Sequence, residues 1–152
     1  MKSLEVTPAI SSGTAYASGD VVGGLLEFVG APESGFIQSI EIIDTDNEAS
    51  DFDIVLFNQE PTTIANDAAF AFTSGEEPTV LTKPFAIANA DYKVLDSVAF
   101  ARTTIEPIPF ELDTANNEEQ YIYAYFVIQA ANTYTTAGDL TVRINVMADG
   151  VN

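Results

Sequence analysis

Apolar and polar residues alternate over most of this chain, and this period of two constrains the fold more than any other feature. Between residues 140 and 147, leucine, valine and isoleucine alternate with Thr141, Arg143, Asn145 and Met147. Successive side chains of a strand point to opposite faces, so the pattern predicts a half-buried strand. Residues 52–57 are apolar except at Asp53, which predicts a strand covered on both faces. Further strands are predicted at residues 21–28, 37–43, 92–94, 98–104 and 120–130.

Glycine and proline residues separate the predicted strands, as expected for many short strands joined by turns. We therefore predict an all-β fold, an antiparallel β-sandwich of jelly-roll or Greek-key type with about eight or nine strands, as one domain over residues 1–152. Residues 58–82 are too long for a hairpin loop, so we expect them to cross between the two sheets. Within them, residues 62–70 are the one segment predicted to be helical.

Two segments carry further local expectations. Residues 1–10 contain Pro8 and lack turn residues before Ser11, which suits either an extended N-terminal arm or an ordinary first strand. Gly23 and Gly24 lie inside a strand pattern, which indicates a bulge or a close approach of another backbone.

Charge excludes several classes of partner. The 152 residues include 23 acidic and 5 basic side chains, which gives a formal net charge of -18. Nucleic-acid binding requires lysine and arginine to neutralise phosphates, and anionic membranes also attract basic segments. The sequence therefore predicts neither partner. It also has no histidine and no cysteine, which removes the commonest general base, thiol nucleophiles and disulfides. We expect a protein that is not an enzyme and has no resident cofactor.

One acidic cluster resembles a calcium loop at its start. Asp44, Asp46, Asp51 and Asp53 lie within ten residues, together with Glu48. Ca²⁺ binds several carboxylate oxygens, but the glycine of a regular calcium loop is replaced by Ala49, and its last acidic position would fall on Val55. Two interpretations remain: a solvated acidic loop, or a loose Ca²⁺ or Mg²⁺ site.

Three tyrosines fall on one face of the strand predicted at residues 120–130. Tyr121, Tyr123 and Tyr125 alternate with residues that would face the core. Tyrosine is enriched at protein interfaces, but it also forms cross-strand aromatic ladders. The pattern predicts either an interface or such a ladder.

The remaining charged groups give weaker signals. The pairs Glu76–Glu77 and Glu118–Glu119 could in principle serve glycoside hydrolysis, although nothing selects two acids from 23. The five cations are scattered along the sequence. We expect each of them, including Arg102 and Arg143, to be a salt-bridge partner or a contact with another subunit.

Several segments together resemble a group of small virion proteins from tailed double-stranded DNA phages. They are YASGDVVGGLLEF at 16–28, GFIQSI at 35–40, DFDIVLF at 51–57, PT at 61–62, NDAAF at 66–70 and DLTV at 139–142. These are turn and core residues in order along most of the chain. This group of proteins has no catalytic residues that could be assigned to positions of this chain.

This resemblance implies a jelly-roll-like sandwich that decorates or cements the capsid. The implied partners are the major capsid protein and copies of the chain itself, with a trimer favoured because closed symmetric oligomers multiply weak contacts. The implied location is the capsid surface of the virion, after synthesis in the host cytoplasm. Two alternatives stay open: a tail, neck or fibre-associated virion protein, and a carbohydrate- or receptor-binding β-sandwich module.

Overall fold

Nine strands and two short 3₁₀ turns make up the regular structure within residues 1–150. A computed structural model describes residues 1–150, with only the backbone of residues 104 and 105. The 3₁₀ turns cover Glu77–Thr79 and Asn89–Asp91. The strands are β1 (Lys2–Val6), β2 (Leu26–Phe28), β3 (Ser34–Asp44), β4 (Phe52–Phe57), β5 (Phe85–Ile87), β6 (Tyr92–Leu95), β7 (Val98–Glu111), β8 (Ile122–Ile128) and β9 (Leu140–Ala148).

The strands form two antiparallel sheets in jelly-roll order. The five-stranded sheet has the order β1-β9-β3-β7-β6, and the four-stranded sheet has the order β2-β8-β4-β5. The pairs β4–β5, β3–β7, β2–β8 and β1–β9 are nested along the chain, so the fold is one long hairpin rolled up on itself. β6 is an additional edge strand joined to β7. The predicted all-β sandwich of jelly-roll type is confirmed.

The main core lies between the sheets, where the alternating pattern places its apolar residues. In β3, Ile40 and Ile42 point inwards, and β9 contributes Val142 and Ile144 beside them. β4 and β8 supply the facing residues, including Phe52 and Phe126, whose rings meet edge to face at 5.7 Å. Each fully buried side chain of this size contributes roughly 1.5–3 kcal/mol, so this layer supplies most of the stabilisation.

A second, smaller core covers the outer face of the four-stranded sheet. Residues 58–84 leave β4 and return to β5, its neighbour in the same sheet. Within this connection, Ile64, Phe70 and Val80 pack over the outward side chains of β4 and β8. The expected crossing between sheets is therefore wrong. The connection is long because the outer face of this sheet is apolar and must be covered.

The predicted helix at residues 62–70 is also wrong. This segment has no regular structure before a turn at Asn66 and Asp67, and Asp67 takes a positive φ of 65°, which a right-handed helix cannot accommodate. The Asn66 side chain accepts hydrogen bonds from the Tyr16 hydroxyl and the Gly23 N–H, both at 2.7 Å, and donates to Ser11 Oγ. Hydrogen bonds from the Asn66 side chain to residues distant in the chain have replaced local helical bonding.

The N-terminal residues form an ordinary first strand, one of the two alternatives. Lys2–Val6 pairs with β9 at the sheet edge. The strand predicted at residues 21–28 is regular only over Leu26–Phe28, because Gly23 and Gly24 both have positive φ. Gly23 also packs against Pro8, which confirms the predicted close approach. Within residues 1–150, no helix is long and apolar enough to span a membrane.

Candidate docking face

Four charged residues form a row across the outer face of the five-stranded sheet. The strand register places Glu5 of β1 opposite Arg143 of β9, Arg143 opposite Glu41 of β3, and Glu41 opposite Arg102 of β7. Directly opposed side chains in a sheet are close enough to interact. We call this row of alternating sign, Glu5–Arg143–Glu41–Arg102, the charged ladder.

Ion pairs hold the ladder in place. Arg143 Nε donates to Glu5 Oε2 at 2.6 Å, and Arg102 Nε lies 3.6 Å from Glu41 Oε1. The hydrogen bond to Glu5 raises the pKa of Arg143 above its ordinary value, and the nearby charge of Glu41 adds to this effect. Both arginines remain partly exposed, so the ladder is available to a second protein as well as being paired within the chain.

A groove of about 480 Å³ runs beside the ladder on the same face. Its lining includes Lys93 and Asp91, together with Ile43 and Phe100, which are directly opposite each other in β3 and β7. Phe100 is 41% exposed, which is unusual for a large aromatic residue of a central strand. Apolar and charged groups thus alternate over a continuous surface.

This face differs in charge from the rest of the molecule. Three of the five cations, Lys93, Arg102 and Arg143, meet here with three of the 23 acids, Glu5, Glu41 and Asp91. The ladder and groove are therefore close to neutral, whereas the remaining surface is strongly acidic. We call this region, defined by the ladder and the groove, the ladder face. It can contact another protein without the repulsion that the acidic surface would cause.

Sequence reasoning identified two of the ladder residues. Arg102 and Arg143 were expected to form salt bridges or subunit contacts, and the structure shows the salt bridges. The sequence pattern did not single out Glu5, Glu41 or Phe100, and Lys93 was expected, like the other cations, to form a salt bridge or to contact another subunit. The alternation of sign exists only across strands, and Glu5 lies 138 residues from Arg143 in the chain.

Tyr123 and Tyr125 do not form an exposed recognition surface, contrary to the interface hypothesis. They are 5% and 1% exposed, because the connection between β4 and β5 lies over them. The Tyr125 hydroxyl donates to Thr62 O at 2.7 Å and accepts from the Ile64 N–H at 2.9 Å, which fixes the connection to the sheet. Burial raises the pKa of Tyr123 to about 12. The alternative of an aromatic ladder is the better description.

Tyr121 lies at the rim of this ladder. Its ring meets that of Tyr123 edge to face at 5.5 Å, and its hydroxyl donates to Glu119. Nearby acids, Glu27 and Glu60, line the same small cavity as Glu118 and Glu119. The pair Glu76–Glu77 lies elsewhere, and Glu76 accepts the N–H groups of Thr62 and Thr73. These contacts give Glu76 and Glu119 structural roles in loops.

The acidic loop after β3 does not gather its carboxylates, which corrects the Ca²⁺ hypothesis. Asp44 is fully buried and accepts the N–H groups of Asp46 and Ala49, at 3.0 and 2.9 Å. Asp46 instead binds the N–H and hydroxyl of Thr135. Asp51 accepts the N–H of Asn89, while Asp53 lies within β4. Among the residues that the structure describes, no three acidic groups lie close enough together to hold a metal ion.

The acidic groups of this loop should make the stability of the fold depend on pH. Burial raises the pKa of Asp44, and burial with repulsion from Asp46 and Asp44 raises that of Glu48. The folded state therefore binds protons more readily than the unfolded state, so stability increases as pH falls through these raised values. We therefore expect a higher melting temperature at about pH 5 than at neutral pH. Repulsion among the acidic side chains also weakens as they gain protons, which adds to the effect.

Thermal unfolding by circular dichroism tests this expectation. Glu48→Gln should reduce the difference between the two pH values, whereas Glu118→Gln, which removes one charge at an exposed turn, should reduce it less. A melting temperature that falls steadily from neutral pH to about pH 5 would contradict the assignment.

Comparisons of the chain with protein-family models, curated proteins and solved structures give no match. We therefore infer function from the fold, the distribution of charge and the resemblance described above.

Proposed function

We propose that this chain is a structural virion protein of a tailed double-stranded DNA phage that binds the assembled capsid lattice and stabilises it. The resemblance of several segments to small phage virion proteins supports this proposal. So does the jelly roll, a fold that is common in proteins of viral shells. Fold alone does not decide function, so the proposal also needs a feature of the surface.

The observation that carries the proposal is the uneven distribution of charge. Most of the surface is acidic, and the near-neutral ladder face combines exposed Phe100 with paired arginines. An acidic coat keeps large particles dispersed, whereas a near-neutral face with apolar residues favours protein contacts. A protein that decorates a shell requires both surfaces.

Stabilisation of the lattice follows from selective binding. A protein that binds the assembled, expanded shell better than free subunits shifts the equilibrium towards the shell, by an amount that grows with occupancy. Contacts that span neighbouring capsid subunits exist only in the lattice. Repeated at every equivalent site, weak contacts become collectively strong.

Binding to purified shells tests this proposal. The chain should bind expanded capsids of its own phage with a saturating stoichiometry set by lattice symmetry, and should raise the temperature at which those capsids open. Unassembled capsid protein is the control and should not bind. If no capsid state binds the chain, the proposal is wrong. Binding to tails or necks alone would favour the tail-associated alternative.

A further inference from the structure

The charged ladder has a symmetry property that identifies an occupant for the ladder face. Read across the sheet from β1 to β7, its signs are negative, positive, negative, positive. Reversing this order gives the complementary sequence of signs. A second copy facing the first with its strand order reversed therefore places Glu5 against Arg102, and Arg143 against Glu41.

We propose that two copies of this chain associate face to face through the ladder face. The two-fold axis lies within the interface, parallel to the strands and between β9 and β3. An axis perpendicular to the strands would place like charges together, so the pattern of charge selects one orientation. Such an interface is isologous, because the same patch serves both partners. This inference rests on the strand register and not on the capsid proposal. If both hold, the ladder face joins two copies on the shell, and other surfaces of the dimer contact the capsid subunits.

The neighbouring rows also suit this contact. On one side of the ladder, Ser3, Asn145 and Ser39 form a row of small or buried polar groups, and Asn145 Nδ2 donates to Ser39 Oγ at 3.0 Å. Small side chains let two sheets approach closely. On the other side, exposed Phe100 and its neighbour Ile43 supply apolar surface that a second sheet would remove from water.

The face is about as large as the smaller specific protein interfaces. The two-fold axis overlays β1, β9, β3 and β7 of the two copies, and four strands spaced ~4.8 Å apart over ~30 Å give a face of roughly 580 Å². Each partner of a specific protein interface buries ~600 to ~1,000 Å². The acids on other surfaces repel weakly at this contact, since charges further apart than ~8 Å are largely screened at physiological ionic strength.

Charge-swap variants of the full chain test the two-fold pairing by analytical ultracentrifugation. The wild type should sediment as a dimer. Arg102→Glu or Glu5→Arg alone places like charges together twice in each dimer and should raise the dissociation constant by at least ~10-fold. The double variant, with both changes, restores opposite signs between copies and should return the dissociation constant close to that of the wild type.

The double variant also separates contacts between copies from contacts within one chain. Within one chain it places like charges side by side, so a purely intramolecular ladder would be weakened further. Lys83→Glu, which changes the charge equally just before β5 of the other sheet, is the control and should leave the dimer intact. Circular dichroism checks that each variant folds.

Three results would overturn the proposal. One is a wild type that stays monomeric up to ~1 mM, where even weak complexes form. Another is a trimer, which the sequence analysis favoured. The third is a double variant as dissociated as the single variants.

Discussion

Replacing Gly23 by alanine is expected to lower the free energy of unfolding by about 2–5 kcal/mol. The φ angle of Gly23 is 81°, a conformation that costs a residue with a Cβ about 1–2 kcal/mol. A Cβ at this position would also lie 2.4 Å from Cβ of Pro8 and 3.3 Å from its Cα. Relieving this overlap requires movement of the segment after β1, and overpacking of this kind costs roughly 1–3 kcal/mol.

Two other glycines separate these contributions. Gly19 has a φ of 97° but open space around its Cα, so Gly19→Ala should show only the conformational cost. A Cβ at Gly138 would have nothing within 4 Å, and its φ is not positive, so Gly138→Ala should be nearly neutral. Urea unfolding of the three variants measures the differences. The interpretation is wrong if Gly23→Ala is no less stable than Gly19→Ala.

Replacing Tyr125 by phenylalanine is expected to cost about 1–3 kcal/mol, although the ring itself is kept. The hydroxyl satisfies the carbonyl of Thr62 and the N–H of Ile64, and both groups belong to the connection that covers the four-stranded sheet. Both hydrogen bonds are partly buried, and each bond of this kind contributes ~0.5–1.5 kcal/mol. The loss should also loosen the connection, because these two bonds fix it to β8.

Tyr123→Phe is the matched control on the same face. Its ring is also buried, but its hydroxyl makes no hydrogen bond within the described residues, so the cost should be under ~1 kcal/mol. Hydrogen exchange followed by mass spectrometry should show faster exchange over residues 58–84 in Tyr125→Phe than in Tyr123→Phe. Equal exchange in the two variants would contradict the proposed role of the hydroxyl.

The fold was predictable from sequence mainly because periodicity reports which faces are buried. β9 and β4 follow directly from their patterns, and β4 is covered on both faces as expected. β5 was missed because three residues after Pro84 are too short for a period to show. The jelly roll was predicted partly for a wrong reason, since the long connection covers one sheet and does not join the two.

The candidate site was less predictable because it depends on register and on the path of loops. The alternation of sign in the ladder arises from residues on four strands, and strand order determines which residues meet. The tyrosine pattern correctly placed three rings on one face, but nothing local showed that residues 58–84 would cover two of them. Asp44 looked like a metal ligand because the sequence does not show that its carboxylate turns inward to bind its own loop.

We propose that this chain coats an assembled phage capsid, and a cryo-electron-microscopy reconstruction of the virion would locate it. We predict jelly-roll density on the outer surface of the shell, bridging neighbouring major capsid subunits at positions repeated by the lattice symmetry. A shell without such density, with the chain confined to the tail or neck or missing from the particle, would contradict the claim.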